Sequence, residues 1–170
     1  MIHSPTSGPI GLQPHGNVAK MINRTGGTAA IGDVVCLSFD SPVAFTLTPS
    51  TDSDLRLSPF ASVKKADNAG GTLTSQGYIG VVVGLGAFAG ANTTEIDVQF
   101  GGIVSVVKCN AVTNNIVLGT TLYLSDTEGN LSNAAGSTTD TAVGVYLGST
   151  ITAGNSGTGA VLIKSDVFGL

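Results

Sequence analysis

The feature that most constrains this chain is an alternation with a period of two. Between Gly119 and Ser125, Leu122 and Leu124 fall on one face, and Thr121, Tyr123 and Ser125 on the other. Successive side chains of an extended chain point to opposite faces, so this pattern describes a half-buried strand. Asp126-Thr127-Glu128-Gly129-Asn130 follows, short and polar, with a glycine suited to a positive φ. It reads as a turn. Leu131 resumes the apolar face, a Ser/Thr/Asn/Gly loop runs from Ser132 to Thr141, and Val143, Val145 and Leu147 then alternate with Gly144, Tyr146 and Gly148.

An echo of this unit lies upstream. Ile31-Gly32-Asp33-Val34-Val35-Cys36-Leu37-Ser38 parallels Leu118-Gly119-Thr120-Thr121-Leu122-Tyr123-Leu124-Ser125, and Gly80-Val81-Val82-Val83-Gly84 parallels Gly144-Val145-Tyr146-Leu147-Gly148. The spacing between the two halves differs, so this is no solenoid of fixed period. Pseudo-symmetric halves of one β-domain are expected.

Other segments agree. Val34 to Phe39 reads as a strand, and Val43, Phe45 and Leu47 alternate as a second one. Leu55 to Lys65 is ambiguous, since Pro59 opposes a long helix. Tyr78 to Leu85 is a mostly apolar strand. Ile96, Val98 and Phe100 alternate with Asp97 and Gln99, Gly101-Gly102 allows a sharp corner, and Ile103 to Cys109 continues as a strand. Ala160 to Lys164 is the last. β-branched side chains dominate these segments and pack well on pleated sheets. The expected fold is all-β, a small antiparallel β-barrel or sandwich spanning residues 26–170.

Residues 1–25 look different. Met1 to Gly16 holds three prolines and three glycines with neither period. The stretch nevertheless carries Ile2, Ile10, Leu12, Val18, Met21 and Ile22, more apolar groups than a disordered spacer normally has. We expect an extended N-terminal arm that becomes ordered against another surface through those six residues.

Charged residues make up 11% of the chain, against the usual ~25%. Glycine supplies 24 of 170 positions, about double the usual ~7%. Free-standing monomers normally keep a well-charged surface, so a covered surface in an oligomer or larger assembly is favoured. The net charge is −4 and the longest basic run is Lys64-Lys65, which gives no footprint for nucleic acid. The apolar run from Ile79 to Ala91 is broken by four glycines and is too short to span a bilayer as a helix. No basic-then-apolar signal pattern opens the sequence.

Catalytic signals are sparse. The two histidines, His3 and His15, both sit in the arm, where little could hold a base in place. Gly84-Leu85-Gly86-Ala87-Phe88-Ala89-Gly90 has its third glycine one residue too late for a dinucleotide loop, and a strand follows it. Asp126, Glu128 and Asn130 start like a calcium loop, but Leu131 and Ser137 occupy the positions that need Gly and Glu. Asp52-Ser53-Asp54 is a second carboxylate pair on a loop. Both read as solvated turns, and no catalytic residue, cofactor or metal is expected. Cys36 and Cys109 sit within apolar strand patterns, as buried small hydrophobes or as a disulfide pair.

The order of features resembles a known family. The pattern is Gly32-Asp33-Val34-Val35, Ile79-Gly80-Val81-Val82, then Val98, Phe100, Gly102, Ile103 and Val104. Leu118-Gly119-Thr120, Leu122-Tyr123-Leu124, Gly129, Leu131, Val143-Gly144-Val145, Val161 and Ile163 complete it. Over most of Ile31 to Lys164 it is similar to the small β-barrel capsid decoration, or cement, proteins of tailed bacteriophages. The resemblance implies a homotrimer made in the host bacterial cytoplasm that ends on the capsid exterior. There it would clamp neighbouring subunits of the major capsid protein and stabilise the shell, without catalysis, nucleic acid or membrane. A terminal arm reaching over the shell would suit residues 1–25. The alternative is a head-fibre or receptor-binding module for a bacterial glycan, for which Tyr78, Tyr123 and Tyr146 offer a thin aromatic surface.

Overall fold

A computed structural model describes residues 17–37, 62–67, 79–135 and 142–164. Among the described residues the elements are ten strands: β1 (Asn17–Asn23), β2 (Val34–Leu37), β3 (Ser62–Lys65), β4 (Ile79–Gly84), β5 (Glu95–Phe100), β6 (Gly102–Asn110), β7 (Thr121–Leu124), β8 (Leu131–Ser132), β9 (Ala142–Tyr146) and β10 (Ser156–Ile163). The strand expected at Val43 to Leu47 lies outside these residues. No helix among them is long and apolar enough to cross a membrane.

The strands close into two barrels. Barrel 1 runs β1-β3-β2-β4-β5 and returns to β1; barrel 2 runs β6-β8-β7-β9-β10 and returns to β6. The second order is the first, displaced by five strands. Pairing direction repeats too: β1/β3 and β6/β8 are parallel, and every other pair is antiparallel. The upstream echo is therefore a structural duplication, down to register. Val35 lies opposite Gly80 in barrel 1, and Leu122 opposite Gly144 in barrel 2. Both glycines are required by packing. A Cβ on Gly80 would stand 2.5 Å from Val98 Cγ1, and one on Gly144 2.5 Å from the Leu162 carbonyl oxygen.

The expected all-β barrel fold is present, and it is present twice, as two small closed barrels. Residues 17–23, assigned to the arm, are the first strand of barrel 1, paired with β5 from Asn17↔Phe100 to Ile22↔Glu95. Its inward residues Ala19 and Met21 meet Val98 and Ile96. A strand that closes a barrel removes an exposed edge, which gives these residues a place in the core.

The interior of barrel 1 holds Met21, Ala29, Val35, Val63, Val82, Ile96 and Val98. A second cluster joins barrel 2's interior, with Val104, Val107, Leu122, Leu131, Tyr146, Val161 and Ile163, to Val34, Cys36, Ile79 and Val81. Those last four are the outward residues of β2 and β4, alternating with the inward ones. Barrel 2 is thus built onto the outside of barrel 1, and β2 and β4 are buried on both faces. This is why Tyr78 to Leu85 reads as nearly continuous apolar sequence.

Gly101 and Gly102 turn the chain from one barrel into the next at φ of 83° and 75°. The left-handed region is open to glycine at little cost, so the corner legible in the sequence is the inter-barrel link. Gln99, 7% exposed, fixes it by donating from Nε2 to the carbonyls of Gly101 and Ile103, both at 3.0 Å.

Candidate functional site

The first candidate is the cleft where the barrels meet, about 370 Å³ and lined by Asp33, Lys65, Lys108, Cys109, Glu128, Asn130, Ser156, Gly157 and Thr158. The backbone builds it. Gly32 accepts from the Lys108 N–H at 3.0 Å, and Gly129 accepts from Val34 N–H at 2.9 Å while donating to the Ala66 carbonyl at 2.8 Å. The turn read at Asp126 to Asn130 is thereby the piece of barrel 2 that grips barrel 1. Asp33 is almost fully buried there. Its Oδ2 accepts from Ala30 N–H at 2.8 Å and its Oδ1 from Lys108 Nζ at 2.5 Å. A buried carboxylate needs such partners, and both its oxygens are engaged. Through these bonds it ties the two barrels together.

The nucleophiles nearby are equally occupied. The Cys109 thiol is pushed up to about 12 by burial, so it stays protonated at neutral pH and lacks the thiolate that reacts. Ser156 Oγ donates to Asn110 Oδ1 at 2.7 Å, an amide rather than a base. The Tyr146 ring is buried and its hydroxyl donates to the Ser149 carbonyl at 2.6 Å. Burial raises its pKa, with a further contribution from Cys109. Cys36 and Cys109 are both buried and are not joined to each other. Among the described residues no three His, Cys, Asp or Glu side chains converge as metal ligands would. Both histidines lie outside the described residues. The hydrogen bonds lining this cleft join the two barrels in one orientation.

The second candidate is the β4–β5 loop, the glycine-rich stretch that superficially resembled a phosphate loop. It leads into strand β5, not into a helix with free N–H groups. Gly90 N–H donates to the Leu85 carbonyl at 2.7 Å, and the Gly90 carbonyl accepts from Ala29 N–H and from Asn23 Nδ2. Asn23 is fully buried and spends its amide on this loop and on Gly27 and Thr25. Ala89 and Thr93 are held at φ of 49° and 67°, unusual for residues with a Cβ. At the tip of this tightly bonded loop Phe88 is 71% exposed.

The third candidate is the outside of barrel 2. Ile103, Leu162 and Val145 lie directly opposite one another across β6, β10 and β9, and Thr121 on β7 completes the row. Ile103 and Leu162 are 39% and 38% exposed. Val106 on β6 and Leu118 and Leu147 nearby in the fold are exposed as well.

No protein-family model matches the chain, and no curated protein matches it significantly.

The residues expected to form a binding arm separate. Ile2, Ile10 and Leu12 lie outside the described residues. Val18 is on the outside of β1 and 53% exposed, available to a partner. Met21 and Ile22 are 6% and 5% exposed and packed into the body of barrel 1, so neither offers a free side chain to a partner. Sequence reasoning missed Phe88 and the Ile103–Leu162–Val145 row. The signal for the row was present: Gly102-Ile103-Val104 and Val161-Leu162-Ile163 are apolar on both faces, as expected of strands covered twice.

Proposed function

We propose that this chain is a structural virion protein, a homotrimeric decoration protein that binds the major capsid protein on the outside of a phage head and stabilises the shell. The observation that carries the reading is the combination of exposed strand-centre apolar side chains with a chain only 11% charged. A surface of that kind gains by being covered, at ~25 cal/mol per Å² of apolar area removed from water. Reactive groups in the inter-barrel cleft are tied up structurally, which supports a role through contact rather than catalysis. Joining copies multiplies weak contacts, because the second attachment is intramolecular once the first has formed. The resemblance to phage cement proteins supplies the identity of the shell.

The test is addition of purified chain to phage heads lacking it, with co-sedimentation and thermal release of the genome as readouts. Saturable binding at fixed sites and a higher temperature of rupture are expected. Heads that neither bind it nor gain stability contradict the proposal.

A second reading, a glycan-binding head module, is favoured by one observation, the exposed Phe88 on its constrained loop. Aromatic faces stack on sugars, and a pre-set loop loses little entropy on binding. A glycan-array signal abolished by Phe88→Ala supports it; an array without signal removes it.

A further inference from the structure

The duplication allows one barrel to serve as a control for the other. On barrel 1 the outward row Val18–Gln99–Val81–Val34 crosses β1, β5, β4 and β2. On barrel 2 the outward row Ile103–Leu162–Val145–Thr121 crosses β6, β10, β9 and β7. The strands correspond one to one, and the matched Val35/Gly80 and Leu122/Gly144 pairs fix the alignment beside each row. The first row is covered by the neighbouring barrel: Val81 and Val34 are fully buried and Gln99 nearly so. Only Val18, at its end, is open. The second row has no barrel over it, yet it keeps Ile, Leu and Val and contains no charged residue.

Solvent-facing strand positions are normally polar, alternating with the buried ones. A row that stays apolar at the place where its duplicate is a docking face has the composition of a docking face. We propose that the Ile103–Leu162–Val145–Thr121 row of one copy receives barrel 1 of a second copy of this chain, continuing between molecules the contact that already joins the barrels within one. Inside the chain, Gln99 of barrel 1's row is bonded to the start of β6, and Val34 and Val81 are packed into barrel 2's core cluster. The counterpart of the start of β6 is the start of β1, which carries the exposed Val18. The contact is therefore head-to-tail, with Leu162 of one copy near Val18 of the next. Head-to-tail contacts build a ring when the rotation closes. The inference rests on the self-association in the proposed function and names its surface.

Single substitutions Val18→Cys and Leu162→Cys test it by oxidative cross-linking, since Cys36 and Cys109 are buried and protected. Mixing the two variants is expected to give disulfide-linked pairs on a non-reducing gel, at least tenfold above either variant alone. Leu162→Asp is expected to reduce the solution mass to that of one chain while the circular dichroism spectrum is kept. A wild type that assembles, with no cross-link between the Val18→Cys and Leu162→Cys variants and no effect of Leu162→Asp, overturns this face and leaves self-association standing. Efficient pairing of Leu162→Cys with itself overturns the head-to-tail arrangement in favour of a two-fold contact. A wild type that remains a single chain at every concentration removes the self-association reading and this surface with it.

Discussion

Barrel 1 and barrel 2 share strand order, pairing direction and the placement of a glycine opposite a core aliphatic, but differ in what surrounds them. The outside of β2 and β4 is as buried as a barrel interior, whereas the outside of β9 and β10 meets solvent. The β4–β5 loop of barrel 1 points Phe88 outward. The corresponding β9–β10 connection of barrel 2 turns Ile151 inward, where it bridges to Ile116. The difference teaches that the barrel is the conserved unit of packing and its outer surface the variable unit of contact. One fold can be held twice in a chain because its stability comes from the interior, which leaves the exterior open to other demands.

The comparison can be broken first at the glycines. If both barrels use the same close approach, Gly80→Ala and Gly144→Ala should each destabilise by ~1–3 kcal/mol, the usual cost of overpacking. Gly27→Ala, where a Cβ meets nothing within 4 Å, is the control and should be near neutral. Urea denaturation of the three variants decides it; a loss at only one of the two core glycines would mean that the barrels do not pack alike.

A smaller effect separates the joint from the surface. Lys108→Met leaves the buried Asp33 carboxylate, among the described residues, with the Ala30 N–H and should cost about 1–2 kcal/mol, reduced because Lys108 is partly exposed. Lys20→Met removes the ion pair to Asp97 at 3.2 Å on the open face of barrel 1, where Lys20 is 68% exposed. Its cost should be under ~1 kcal/mol. Equal costs in chemical denaturation would deny that the Asp33–Lys108 pair ties the barrels.

The last effect appears only at alkaline pH and concerns Cys109. An unfolded chain releases this proton near the ordinary 9.0, the folded chain only near about 12. The folded state therefore has its full contribution from the protonated thiol below pH 9 and loses it as pH rises towards 12. Thermal melts between pH 8 and 11 should show a steeper decline in the wild type than in Cys109→Ala. Identical slopes would place the thiol in contact with water.

Much of this was legible in the sequence. Leu122 and Leu124 face inward as their alternation requires, Gly101-Gly102 is the corner, and the paired motifs mark the duplication. What was not legible depended on long-range partners. Val143, Val145 and Leu147 look like one face, but the register shifts between Leu122 and Tyr123, leaving Val143 as an extra residue. The bulge turns Tyr146 inward and leaves Leu147 exposed. Residues 17–23 were hidden because their inward series ends in Asn23, a polar residue whose burial is satisfied in part by distant Gly90, which accepts its hydrogen bond. The row at Ile103 and Leu162 was marked by strands apolar on both faces, but its exposure was not: burial on a strand's outer face is decided by a neighbour, and local pattern records the strand but not the neighbour.

Hydroxyl-radical footprinting of the assembled protein bears most directly on the claim that the two outer rows are equivalent faces. The account predicts that Ile103 and Leu162 are labelled in the dilute single chain and become as protected as Val81 and Val34 on assembly. Undiminished labelling of Ile103 and Leu162 in the assembled state would contradict it.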